Sequence, residues 1–134
     1  MPLNYSKKVL KEFMHPKNMG KIKNPDGVGR VGNPLCGDIM WVYIKVDKKT
    51  NKIKDIKFKT FGCAAAIATS SMITQLAKGK KLKDAEKISI NEIANSLKGL
   101  PPIKMHCSAL ATEALREAIK DYKSKKGKKN KIGK

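Results

Sequence analysis

The sequence predicts one domain of mixed helices and antiparallel strands, and three observations lead there. Residues 39–46 (Ile-Met-Trp-Val-Tyr-Ile-Lys-Val) are β-branched and aromatic, and an alternating run follows at 53–61 across a polar turn; this is a hairpin pattern. Helical segments, amphipathic or free of charge, stand on both sides of that hairpin. The length of 134 residues suits a single core and not two.

Taken in order, residues 5–14 read as a short amphipathic helix. Ser6 is its cap, Val9, Leu10, Phe13 and Met14 keep helical spacing, and Pro16 and Gly20 close it. Residues 15–27 hold two prolines and two glycines and read as an extended connector. Gly29-Arg30-Val31 forms a short edge strand before an Asn33-Pro34 turn. In the strand over 39–46, Met40, Val42, Ile44 and Val46 share one face. Residues 47–52 make the turn, and 53–61 then alternate, with Ile56 and Phe58 on one face and Lys57 and Lys59 on the other. One face of the hairpin is therefore solvated. Residues 64–78 read as a helix without a charge until Lys78, and in a chain that is 31% charged this implies burial. Gly79 stops it, and 78–83 form a basic link. Ser89-Ile-Asn-Glu92 matches a capping box opening a helix that ends near Lys98, with Gly99 behind it. Prolines keep Leu100-Pro101-Pro102-Ile103-Lys104 extended. The last amphipathic helix is marked by Leu110, Ala111, Ala114, Leu115, Ala118, Ile119 and Tyr122. From about Lys123 little remains to bury, so the expected organisation is a domain over 1–123 and a lysine-rich disordered tail over 124–134.

Composition narrows the function classes. Apolar residues at 40% and aromatics at only 5% point to an aliphatic core. The net charge is +19, of which residues 120–134, with eight lysines and one aspartate, carry +7. Such a balance favours acidic partners and non-specific attraction to nucleic acid through the lysine tail. Arg30 and Arg116 are the only arginines, however, and base readout favours arginine, so sequence-specific nucleic-acid recognition is disfavoured. No signal peptide is visible, and the longest uncharged stretch, 60–77, is too polar to span a membrane. The expected location is the cytoplasm, with no membrane partner. There thiols stay reduced, and three cysteines favour metal or sulfur chemistry over a disulfide framework.

Those cysteines occupy Gly-Asn-Pro-Leu-Cys36-Gly-Asp38, Phe-Gly-Cys63-Ala-Ala-Ala and Lys104-Met-His106-Cys107-Ser. Cys36 should lie on a loop tip between strands, and Cys63 and Cys107 at helix starts. Helix N-termini carry partial positive charge and unsatisfied amides, which favour the thiolate, the form that binds metal and attacks sulfur. Lys104 and His106 add positive and proton-accepting character beside Cys107. Together Cys36, Asp38, Cys63, His106 and Cys107 offer sulfur, nitrogen and oxygen donors of the kind that zinc or iron accepts in tetrahedral sites. From the residues alone, three lone cysteines are more often buried or incidental than ligands. Asp38 taken singly reads as a turn cap and His106 as a helix cap.

These motifs, in this order, resemble the iron–sulfur cluster assembly scaffold family, the IscU or NifU N-terminal-like proteins. The resemblance runs from about residue 4 to 123 through Tyr5-Ser6 to Asn18-Met19-Gly20, Gly32 to Asp38, Lys57 to Ser71 and Leu100 to Ser108. Departures are Asn33 and Leu35 before Cys36, Ala64-Ala65 after Cys63, and Ile103 and Met105 around Lys104; none removes a candidate ligand. The resemblance implies an α+β fold, a small antiparallel sheet of about three strands packed against helices with a long C-terminal helix. It implies a sulfur acceptor, Cys107, loaded by a cysteine desulfurase. It further implies a transient [2Fe–2S] cluster built from iron and sulfur, and transfer of that cluster to apo-proteins. Asp38 and His106 match residues that tune the metal, Lys104 neighbours the site, and zinc binds at the same place in the family. The segment Leu100, Pro101, Pro102, Ile103, Lys104 is similar to one recognised by an Hsp70-type chaperone and its co-chaperone. A homodimer bridged by the cluster is compatible with this.

Three other readings make different demands. A structural zinc protein should unfold when zinc is removed. A thiol enzyme using Cys107 with His106 is disfavoured, because adjacent helical residues rarely align as nucleophile and base. A lysine-rich nucleic-acid binder would show steep salt dependence that survives replacement of all three cysteines.

Overall fold

Alternation in the central strands decides the architecture. In this computed structural model, residues 6–33, 38–61, 64–98 and 105–132 are described, with 33, 38, 64, 105–108 and 125–132 as backbone only. The elements are α1 (Lys7–Met14), β1 (Gly27–Asn33), β2 (Asp38–Asp47), β3 (Lys52–Phe61), α2 (Ala64–Ala77), α3 (Leu82–Ala85), α4 (Ile90–Ser96) and α5 (Met105–Ile132). The three strands form one antiparallel sheet in the order β1-β2-β3. The fold is thus the expected α+β arrangement with a long C-terminal helix.

Met40, Val42, Ile44 and Val46 are buried on one face of β2, and Ile56 and Phe58 join them from β3. Strict alternation would turn Ile53 to solvent. Instead the β2–β3 register shifts between Lys45 and Val46, an extra β3 residue is accommodated as a bulge, and Ile53 is fully buried. Helix α2 packs on β3, and α5 packs on β1 and β2. The uncharged run is buried as its composition implies, with Thr69, Ser70, Ser71 and Thr74 taken into the core alongside Ala65, Ala66, Ala68 and Ile73.

Local signals are met closely. Ser6 caps α1 by accepting from the Val9 amide at 3.0 Å, and Ser89 and Glu92 form the capping box of α4. Gly79 follows α2 with φ +87°. After α4 the left-handed residue is Lys98, φ +63°, while Gly99 lies outside the described residues. Two expectations are corrected. The basic link after α2 contains the short helix α3, because Leu82 and Ala85 are buried and anchor a turn. Helix α5 does not stop near Lys123; its backbone is helical to Ile132. Lysine is a good helix former, and extending an existing helix costs far less than nucleating one. The expected extended segment 100–104 lies outside the described residues.

Helix α5 reaches β1 through glycine. A Cβ on Gly29 would lie 2.0 Å from the Ala114 carbonyl oxygen, and one on Gly27 would lie 2.3 Å from that of Ala118. Only a residue without a side chain allows the helix backbone this close to the strand.

Candidate functional site

The sheet and helix ends that carry the cysteine motifs converge at one end of the molecule. Strand β1 leaves the sheet at Asn33 and β2 enters at Asp38, and these two residues are paired. One step further along β2, Ile39 pairs with Phe61, the last residue of β3. The Thr60 hydroxyl donates to the Ile39 carbonyl at 2.7 Å and ties that end of the ladder. Helix α2 begins at Ala64, just beyond it.

Helix α5 arrives at the same end by a different route. Gly27 faces Ala118 and Gly29 faces Ala114, so strand and helix run in opposite directions. Four further strand residues carry β1 about 13 Å from Gly29 to Asn33. Nine helical residues carry α5 about 13 Å from Ala114 back to Met105. The first turn of α5, whose backbone includes His106 and Cys107, is therefore level with the Asn33–Asp38 pair.

Neither α2 nor α5 has an acidic residue in its first turn. The partial positive charge of each helix start is not offset there, a setting that favours anions and thiolates.

Of the residues expected at a site, Asp38 opens β2, and His106 and Cys107 lie in the first turn of α5. Cys36, Cys63, Lys104 and the segment 100–104 lie outside the described residues. Among the described residues no group of three or more His, Cys, Asp or Glu side chains is gathered as a metal site.

One feature beside this end was missed. On the solvent face of the sheet, Trp41 stands between Arg30 and Lys59 in the strand register. The Arg30 guanidinium and the Lys59 ammonium each lie 5.7 Å from the Trp41 ring. Phe61 meets Trp41 edge-on at 5.8 Å and is 59% exposed. The signal was available, since burial of Met40 and Val42 obliges Trp41 and Tyr43 to face outward.

A three-stranded antiparallel sheet backed by helices, with the paired ends of β1 and β2, the end of β3 and the start of α5 at one end, defines a class of small α+β domains. The model of the NifU-like N-terminal domain matches residues 4–129, and the chain belongs to that family. It is 61% identical over 128 residues to "Iron-sulfur cluster assembly scaffold protein IscU 1" of Archaeoglobus fulgidus, covering 96% of this chain and 82% of the relative. It is 47% identical to the IscU scaffold protein of Aquifex aeolicus, with the same coverage. A crystal structure from Fervidobacterium islandicum AW-1, described as a candidate iron–sulfur cluster assembly scaffold for the SUF system, superposes with a TM-score of 0.70 at 26% identity. That match covers 86% of this chain and 96% of the other. The N-terminal part of a NifU-like protein from Brucella abortus gives a TM-score of 0.71 at 20% identity, covering 90% and 94%, and attests the fold.

Proposed function

We propose that this chain is a scaffold on which iron–sulfur clusters are assembled and from which they pass to apo-proteins. The observation that carries this reading is the convergence of the Asn33–Asp38 pair, the end of β3 and the start of α5. Identity of 61% to a protein named as such a scaffold supports it. Cys36, Cys63 and Cys107 are the proposed thiolate ligands, with Asp38 and His106 as weaker or tuning donors and Lys104 beside them. The cargo is a [2Fe–2S] cluster, and zinc is an alternative occupant of the same donors.

Sulfur enters from a cysteine desulfurase carrying a persulfide. The Cys107 thiolate attacks the outer sulfur, a new sulfur–sulfur bond forms on Cys107, and the donor cysteine leaves as a thiolate. Two electrons from an external thiol pair, which is oxidised to a disulfide, then release that sulfur as sulfide to the iron and return Cys107 to the thiolate. The α5 N-terminus favours the attacking thiolate. The chain is a sulfur acceptor and scaffold, not an independent catalyst. Asp38 supplies a labile carboxylate, which suits a cluster meant to leave.

The sequence Leu100-Pro101-Pro102-Ile103-Lys104 suits capture by an Hsp70-type chaperone, because prolines restrict the backbone before binding and so reduce the entropy lost on it. The cytoplasm is the proposed location. Mass spectrometry after incubation with a desulfurase and cysteine tests the sulfur step. A gain of one sulfur on the chain, lost in Cys107→Ser, is expected; an undiminished gain in that variant would reassign the acceptor.

A further inference from the structure

We propose that the solvent face of the sheet binds single-stranded nucleic acid without sequence selectivity. This stands apart from the cluster reading and needs none of the cysteines. The register places Trp41 and Tyr43 in a column down β2, bordered by Lys59 and Lys57 on β3. Arg30 on β1 lies on the other side of Trp41. Phe61 extends the aromatic surface at its exposed end.

Two properties single out the occupant. The cations are unclaimed: among the described residues no carboxylate is paired with Arg30, Lys57 or Lys59, whereas Lys45 is held by Asp26 at 3.8 Å and Lys78 by Asp55 at 3.9 Å. They are also interleaved with rings, since Lys59 lies 5.7 Å from Trp41 and 5.5 Å from Phe61. Phosphates satisfy the cations while bases stack on the rings, which is how sheet platforms hold single strands. An acidic peptide would satisfy the cations and leave the rings wet. Successive outward residues of β2 are about 7 Å apart, room for neighbouring bases of an extended strand. The shortage of arginine fits binding through charge and stacking, without base-edge readout.

The test is fluorescence anisotropy of a labelled oligouridylate of about twelve nucleotides with the full chain, from about 50 to 200 mM salt. Binding that weakens steeply with salt is expected. Trp41→Leu with Phe61→Leu should weaken it roughly tenfold or more, with the circular dichroism spectrum unchanged. If that pair fails to fold, Arg30→Gln with Lys59→Gln decides, with a salt slope smaller by about 1.4. Neutralising Lys125, Lys126, Lys128 and Lys129 to glutamine should leave most of the binding. No binding by the full chain would overturn the proposal. So would loss only in the C-terminal lysine variant, or competition by polyglutamate as effective as by oligouridylate; the last outcome would assign the face to acidic polypeptides.

Discussion

Glu12 is buried to 2% exposure between α1 and α2, the only acidic residue among the buried described ones. Burial pushes its carboxyl up, but hydrogen bonds from Ser71, Gln75 and Lys8, with the charge of Lys8, outweigh burial and hold it below the ordinary carboxylate value. Ser71 donates to Oε1 at 2.6 Å and Gln75 at 2.7 Å, while Lys8 lies 3.2 Å from Oε2. A carboxylate whose folded pKa is depressed adds stability above its unfolded pKa and loses it as pH falls through the folded value. Glu12→Gln should therefore cost about 1–3 kcal/mol near neutral pH, and the gap to the parent should shrink on acidification; urea titrations at both pH values measure it. Tyr122 is the converse case. Its hydroxyl oxygen is buried and has no hydrogen-bond partner among the described residues, and burial, then the charge of Asp26, raises its pKa. Tyr122→Phe should stabilise the fold by about 1 kcal/mol by removing an unsatisfied polar group. Asp38 belongs to the proposed site. Asp38→Ala should make the bound cluster longer-lived by removing a carboxylate that loosens coordination, and visible absorbance would record slower decay; equal or faster decay would count against that role.

At the scale of elements, the site depends on how closely α5 lies on β1. Gly29→Ala places a methyl where the Ala114 carbonyl stands. Since a backbone atom cannot step aside as a side chain can, the variant should lose about 1–3 kcal/mol or more. The same displacement should lower cluster loading, because the first turn of α5 moves with the helix. A stability loss by thermal unfolding without any drop in loading would separate the helix from the site. Elements were legible where the signal was local. The Ser6 cap and the Ser89–Glu92 capping box announce their helices, and an uncharged run in a 31% charged chain announces a buried one. The β3 bulge was not legible, because it arises from the pairing of Lys45 and Val46 with another strand. Nor was the length of α5, where an apolar criterion ended the helix near Lys123 although lysine tolerates helix well.

For the whole molecule, the fold was legible from hairpin periodicity and helix spacing, whereas the meeting of the β1 and β2 ends with the start of α5 was not. Nothing local says that the end of β1 and the start of α5 share a level; that follows from two glycines that let helix and strand touch. The cysteine settings offered metal donors from the residues alone, but only the family resemblance joined them into one site, since single thiols separated by tens of residues have no local ligand spacing. The solvent face was overlooked for a related reason. Aromatics are only 5% of the chain, and their concentration beside lysines appears only once the strands are paired. The central claim is that the three cysteines together hold a cluster assembled in place. Its most direct test is anaerobic incubation of the chain with a cysteine desulfurase, cysteine and ferrous iron, followed by absorbance and Mössbauer spectra. A [2Fe–2S] spectrum on the parent and none on a Cys36/Cys63/Cys107 triple variant is expected; no cluster on the parent, or the same cluster on the variant, would contradict it.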